Sequence, residues 1–193
     1  MSRIVRAGVA VVLGALLVGC SDDPRPRMAP PSASPTVVES PTNTPTIEES
    51  APPLPSAATA RDASGAKAFV THFWDVANYA QATGDTKSLA ALGAETCEGC
   101  HGAVDFLNDL YRAGGSIEGG EYTIGPITAD RLAVEGQDVT VFRCMFETSN
   151  TKQVIRQPGR DDRVLPASTV AATFTLSYQA DRWQVDVWDV TAS

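Results

Sequence analysis

No second long apolar run follows the N-terminal one in this chain of 193 residues, so the sequence does not read as a multi-spanning membrane protein. An excess of basic residues is missing too: 15 Lys and Arg stand against 23 Asp and Glu, a net charge of −8. An acidic surface repels phosphate backbones and anionic lipid heads, which argues against nucleic acid as a partner. The pairs Gly114-Gly115 and Gly119-Gly120 lack a P-loop lysine and the strand-to-helix context, so they read as a helix C-cap and a turn into a strand. No nucleophile triad, metalloprotease string or internal repeat is visible.

What is present begins with MSRIVRAGVAVVLGALLVGC, where Arg3 and Arg6 precede an apolar run from Ala7 to Val18. That run is too short to cross about 30 Å of hydrocarbon as a helix, which takes roughly twenty apolar residues, and it reads as an export signal over residues 1–19. Its end, Leu17-Val18-Gly19-Cys20, resembles the bacterial lipobox, with Cys20 as the lipid-attachment residue. Acyl chains such as palmitate would hold the mature N-terminus in the membrane at roughly 0.8 kcal/mol per buried methylene. The expected address is the extracytoplasmic face of the cell membrane, reached through the lipid anchor alone. Loss of the signal removes two basic residues and no acidic one, leaving a net charge of −10.

Residues 20–61 comprise this cysteine and a Pro/Ser/Thr-rich stretch that carries ten of the 13 prolines and almost no bulky apolar side chain. Such a composition cannot offset ordering entropy by burial, so a disordered stalk is expected. About forty residues at roughly 3.1 Å each reach on the order of 100 Å at most.

Residues 62–193 suit one domain. Ala66, Phe69, Val70, Phe73, Trp74, Ala77 and Ala80 recur at helical spacing, with Ser64 or Asp62 as N-cap and Gly84 as terminator. A short helix is predicted over Thr86–Leu92, capped by Asp85, and a third over Cys100–Ala113. After Gly120 the period becomes two. A strand broken by Pro126 runs from Tyr122 to Ile127, and Asp138–Thr148 alternates with Phe142, Cys144 and Phe146 on one face. Ser168–Tyr178 places Val170, Ala172, Phe174, Leu176 and Tyr178 inward, and Arg182–Val190 does so with Trp183, Val185 and Val187. Asn150–Pro166 reads as polar and turn-rich. The predicted class is α+β: three N-terminal helices packed on a curved antiparallel sheet.

That order, with the terminal Trp183-Gln184-Val185, resembles the NTF2-like, or cystatin-like, cone. The segments AFVTHFWDVANYAQATGD, CEGC, DLYRAGGSIEGGEYT and DRWQVDVWDV resemble an exported lipoprotein family of high-GC Gram-positive bacteria, domain of unknown function 6318. Asn78-Tyr79-Ala80 and Gly119-Gly120-x-Tyr122 are the most specific pieces of the likeness. It implies architecture and address, and no mechanism.

Cys97-x-x-Cys100-His101 admits a covalent haem, a thiol redox pair, a zinc site with Cys144, or a disulfide. Haem needs an apolar pocket on both faces and usually a sixth ligand; His72 and Met145 are the candidates, on a helix and a strand that show no convergence. The similar family keeps the two cysteines without the histidine. A redox pair of the thioredoxin type follows a strand, whereas this motif follows a helix and a loop. Cys144 falls on an apolar face. A Cys97–Cys100 disulfide formed in an oxidising compartment requires least, and closing so short a loop contributes about 2 kcal/mol. Cys144 is then the odd cysteine, expected free in the core, with a bridge to one of the pair as the alternative. No cofactor or metal is expected.

His72 and Asp75 share a helix face, with Asn78 and Tyr79 one turn on, and form a conceivable acid–base group. The simpler reading makes His72 a solvated neighbour of Phe73 and Trp74, Asp75 a surface charge, and Asn78-Tyr79 a packing and hydrogen-bonding pair. Asp186 and Asp189 alternate outward, and Gln157–Arg163 is a charged turn, solvated or a polar contact surface. The functional expectation is a non-catalytic, lipid-anchored binding or accessory module of the cell envelope, taking a small apolar ligand or facing an envelope protein. The alternative is a small enzyme acting on a carbonyl or lipid-derived substrate through His72 and Asp75. A haem or thiol redox protein through Cys97, Cys100 and His101 is the minor one.

Overall fold

Asp62 and Gly84 fix the two ends of the first helix in the computed structural model, which describes residues 50–136 and 139–191. Helix α1 (Ala63–Thr83) starts where the Asp62 carboxylate accepts from the backbone N–H groups of Ser64 and Gly65, at 2.9 and 3.0 Å. The Ser64 hydroxyl and these amides hold that carboxyl below its ordinary range. Gly84 ends the helix in the left-handed conformation, φ 78°, donating its N–H to the Ala80 carbonyl. Between the caps Ala66, Phe69, Val70, Phe73, Trp74 and Ala80 are buried as the spacing predicts, Val76 joins them, and Ala77 is half-buried.

Two further helices follow, α2 (Lys87–Ala90) and α3 (Glu98–Arg112). Helix α2 is shorter than predicted, yet Asp85 still serves its start by accepting from the Lys87 N–H at 3.1 Å. The strands come after the helices: β1 (Ser116–Gly119), β2 (Tyr122–Ile124), β3 (Thr128–Leu132), β4 (Thr140–Asn150), β5 (Gln153–Arg156), β6 (Arg163–Leu165), β7 (Ser168–Gln179) and β8 (Arg182–Thr191). The predicted mixture of helix and antiparallel sheet is present, but the described strands make two sheets. The larger runs β2-β4-β7-β8 with β3 also on β4, and the smaller runs β1-β5-β6.

Strands β2 and β3 occupy opposite ends of β4, with Tyr122 opposite Asn150 and Leu132 opposite Val141. The break between them falls at Pro126, which has no N–H for the ladder. Strands β5 and β6 lie inside Asn150–Pro166, the stretch read from sequence as turn-rich. Their four and three residues are too few to display a period.

The core lies between α1 and the larger sheet. The Phe73 and Phe174 rings meet edge-on at 5.0 Å, as do Phe146 and Phe174 at 5.2 Å. Burying Phe69, Phe73 and Phe174 to 2% exposure or less stabilises the fold by about 1.5–3 kcal/mol per side chain. The predicted inward set on β8 needs one correction. Trp183 and Val185 are buried, but Val187 is 43% exposed, because the register shifts between Thr175 and Leu176. Thr175 pairs with Val187 and Leu176 with Val185, so Asp186 is an inserted residue and the alternation flips. Trp188 takes the inner place opposite Phe174, 5.7 Å between ring centroids.

Packing also begins upstream of Asp62, the expected boundary of the globular part. Ser56–Thr59 form a 3-10 turn against α1, with Ala58 in the core at 1% exposure. The Trp183 indole donates to the Ala60 carbonyl at 3.0 Å, and Arg61 donates to the Thr140 hydroxyl at 2.7 Å while its guanidinium lies over the Tyr178 ring. Those partners lie in β4, β7 and β8, distant in sequence from the proline-rich stretch.

Candidate ligand cavity

A cavity of about 280 Å³ opens between helices α1 and α3 and both sheets, near the lower end of the roughly 300–1,000 Å³ of small-molecule pockets. Phe73 and Trp74 line it from α1, Phe106 and Leu107 from α3, Tyr122 and Trp188 from the larger sheet, and Ile155 from the smaller one. Two of these seven side chains, Phe73 and Trp74, belong to the face of α1 that was legible as helical spacing. Trp188 and Ile155 come from the bulged strand and the unpredicted small sheet.

A set of side-chain to backbone hydrogen bonds holds the lining in place. The Asn78 amide group donates to the Tyr122 carbonyl at 2.9 Å and accepts from the Tyr122 N–H at 2.8 Å. Gln81 donates to the Gly119 carbonyl at 3.1 Å and accepts from the Gln153 side chain at 2.9 Å, while the Tyr111 hydroxyl donates to the Gln81 carbonyl. Gly120, at φ 80°, lies so close to Gln153 that a Cβ there would come within 2.5 Å of its amide nitrogen. Asn78 and the Gly119–Tyr122 stretch, the two most specific pieces of the sequence likeness, therefore touch one another along one wall of the cavity. Burial raises the Tyr122 phenol above its ordinary pKa, so it remains a neutral group in the lining.

Two donors in the lining have no acceptor. The indole nitrogens of Trp74 and Trp188 are shut off from solvent without a hydrogen-bond partner, and Trp74 as a whole is 3% exposed. Leaving a buried N–H unpaired costs about 1–3 kcal/mol. Arg163 and Gln153 supply polar groups to the lining, Arg163 from an exposed position.

His72 and Asp75 are not brought to this cavity. His72 is buried rather than solvated, at 4% exposure, because it lies on the side of α1 that carries Phe69 and Val76. Its Nδ1 has no partner; burial pulls its pKa down, and Asp75 opposes this. Asp75 is exposed, and among the described residues no hydrogen bond or ion pair joins the two. Asp186, expected on the solvent side, is half-buried and accepts from the Ser177 hydroxyl at 3.0 Å, its pKa raised by burial; Asp189 is exposed.

Cys97 and Cys100 form a disulfide, and both are buried, at 0% and 2% exposure. The bridge fixes the first turn of α3, where Cys97 is the N-cap. Gly93 fits against it, since a Cβ there would meet the Cys100 Cβ at 2.8 Å. The same segment pairs with β8: the Val185 N–H donates to the Leu92 carbonyl and the Ala94 N–H to the Val185 carbonyl. Sulfurs bonded to one another are not open to thioether formation, and the bridge offers no exposed sulfur to an attacking thiolate. His101 and Met145 are exposed while His72 is buried, so the candidate axial ligands do not share one site. Cys144 is free and fully buried, and burial pushes its thiol up to about 11. A bridge from Cys144 to the pair is thereby ruled out in this structure. Among the described residues no three His, Cys, Asp or Glu side chains converge as a metal site, and no helix is long and apolar enough to cross a membrane. The signal segment and Cys20 lie outside the described residues.

No curated protein matches the chain in sequence. Among solved structures, the intermembrane-space region of the chloroplast protein ARC6 is similar, with 13% identity over 68% of this chain and 98% of its own, and a TM-score of 0.50. A protein from Catenulispora acidiphila matches at 15% identity over 66% of this chain and 91% of its own, TM-score 0.42. An NTF2-like protein with a cystatin-like fold from Novosphingobium aromaticivorans matches at 15% identity over 63% and 75%, TM-score 0.34. At these identities the likeness concerns the fold alone. Residues 39–189, which contain every element described above except the last two residues of β8, match the family of unknown function DUF6318, and the chain belongs to that family.

Proposed function

We propose that this chain is a lipid-anchored, non-catalytic binding module of the cell envelope, an NTF2-like cone on a proline-rich stalk, whose cavity takes a small apolar molecule. The observation that carries the binding part is the aromatic lining drawn from two helices and both sheets, which suits a ligand with an apolar body. His72 and Asp75 stand away from that lining, which leaves the acid–base alternative without a group facing a substrate. The anchor and the address rest on Leu17-Val18-Gly19-Cys20 and the basic, apolar segment before it.

Two measurements test this reading. Intact mass of the native protein is expected to give a polypeptide beginning at Cys20 with acyl chains attached; a chain that keeps residues 1–19 and carries no acyl group removes the anchor. Titration of the full chain carrying Cys20→Ser with octanol is expected to change tryptophan fluorescence saturably and raise the melting temperature. Stabilisation should approach about 1.4 kcal/mol at tenfold excess over Kd. A flat titration with no thermal shift removes the cavity.

A further inference from the structure

Arg163 belongs to two neighbouring concavities. It lines the aromatic cavity, and with Phe106 and Ile155 it also lines an adjoining cleft that contains Arg160, Asp109 and Asp161. The turn Gln157–Arg163, read from sequence as a charged turn, either solvated or a polar contact surface, thus forms the rim where an apolar site meets water.

The local charge balance at that rim runs against the rest of the chain. Asp109 is held by Arg112 at 2.9 Å, and Asp162 by Arg156 at 3.3 Å. Arg160 and Arg163 have no carboxylate within ion-pairing distance among the described residues, and Asp161 is the one further acid of the cleft. A chain of net charge −8 therefore presents two guanidinium groups without an ion-pair partner among the described residues beside this aromatic cavity. A guanidinium presents a planar fork of donors that matches a carboxylate in a two-point bond. Asp161, at the outer cleft, is the one carboxylate along this path that no arginine holds among the described residues.

We propose that the cavity selects small apolar acids, with the hydrocarbon or aromatic body between Trp74, Tyr122 and Trp188 and the carboxylate at the rim on Arg163, supported by Arg160. The inference rests on the binding function proposed above and adds the sign of the ligand's head group. A neutral alcohol of the same length gains the apolar contacts alone. A primary amine meets two cations and is rejected.

The test compares octanoate, octanol and octylamine on the full chain carrying Cys20→Ser, read by tryptophan fluorescence and calorimetry at low and high salt. Octanoate is expected to bind more tightly than octanol, and octylamine most weakly. The advantage of octanoate should shrink as salt screens the exposed rim. Arg163→Gln is expected to weaken octanoate about fivefold, the effect of one largely solvated ion pair, and to weaken octanol clearly less. Because Arg163 is exposed, the variant should fold as the parent does, and an unchanged circular dichroism spectrum and melting temperature verify this. Equal binding of octanoate and octanol, or an octanoate preference that survives the double variant Arg160→Gln, Arg163→Gln, overturns the head-group inference while leaving the cavity in place. Failure of all three probes overturns both.

Discussion

The side-chain amide of Asn78 pairs with both backbone groups of Tyr122, as an adjacent strand residue would. A helix side chain thereby closes the open edge of β2 at the point where Tyr122 enters the cavity wall. Replacing Asn78 by alanine leaves a partly buried N–H and carbonyl unmet. Unfolding free energy is expected to fall by about 2 kcal/mol, measured by urea denaturation. Octanol binding should weaken as well, since Tyr122 loses its tether. An unchanged denaturation midpoint would mean that β2 is held by its pairing to β4 alone.

The three cysteines beyond Cys20 should separate into two chemical classes. Native protein carrying Cys20→Ser is expected to show no reactive thiol, because Cys144 is buried with its pKa pushed up to about 11 and the other two are bonded. Denaturant alone should release one thiol, and denaturant with reductant three. Replacing Cys97 and Cys100 by serine should lower stability by about 2 kcal/mol in the chain-entropy account of a short loop. Three thiols reactive without reductant would contradict the bridge.

His72 gives the fold a pH dependence whose sign follows from its burial. Its folded pKa lies below the ordinary value of 6.5, so between the two values the unfolded chain binds more protons than the folded one. Stability is full above 6.5 and falls as pH drops toward the folded value, by at most about 1.4 kcal/mol per pH unit. Asp75 works in the opposite direction at more acid pH, since partial burial raises its carboxyl and His72 only partly offsets this. Replacing His72 by leucine should flatten the profile below 6.5 when unfolding is followed across that range. A slope that survives the substitution would assign the effect elsewhere.

Gly65 tests where the domain starts. A Cβ at this position would lie 1.8 Å from the Ala60 carbonyl oxygen, so Gly65→Ala must push the Ser56–Ala60 segment off α1. Overpacking of this kind costs about 1–3 kcal/mol, and the melting temperature should fall accordingly. A neutral substitution would place residues 56–60 outside the folded unit.

The sequence made some of this architecture readable and concealed the rest for identifiable reasons. Helix α1 was legible because Asp62, seven apolar positions and Gly84 gave three independent signals for one element. The inner faces of β4 and β7 were legible because Phe142, Cys144, Phe146, Ala172, Phe174 and Leu176 keep a strict period of two. Val187 was misplaced because one extra residue, Asp186, reverses that period without altering composition. The small sheet was hidden because β5 and β6 are short and gain their apolar face only by pairing with each other and with β1. Asn78 and Gln81 were chemically anonymous in a helix; their roles come from Gly119, Tyr122 and Gln153, which lie about 40 to 70 positions away. Cavity walls assembled from such long-range pairs carry little local pattern.

The clasp formed by Ala58, Ala60 and Arg61 with Trp183, Thr140 and Tyr178 has a mechanical meaning. Any pull arriving from the N-terminal side loads this buttress before it reaches α1, peeling one polar contact and one small side chain at a time. None of the clasp residues lines the cavity. Force applied ahead of Ser56 would thus be borne by contacts other than those that shape the cavity.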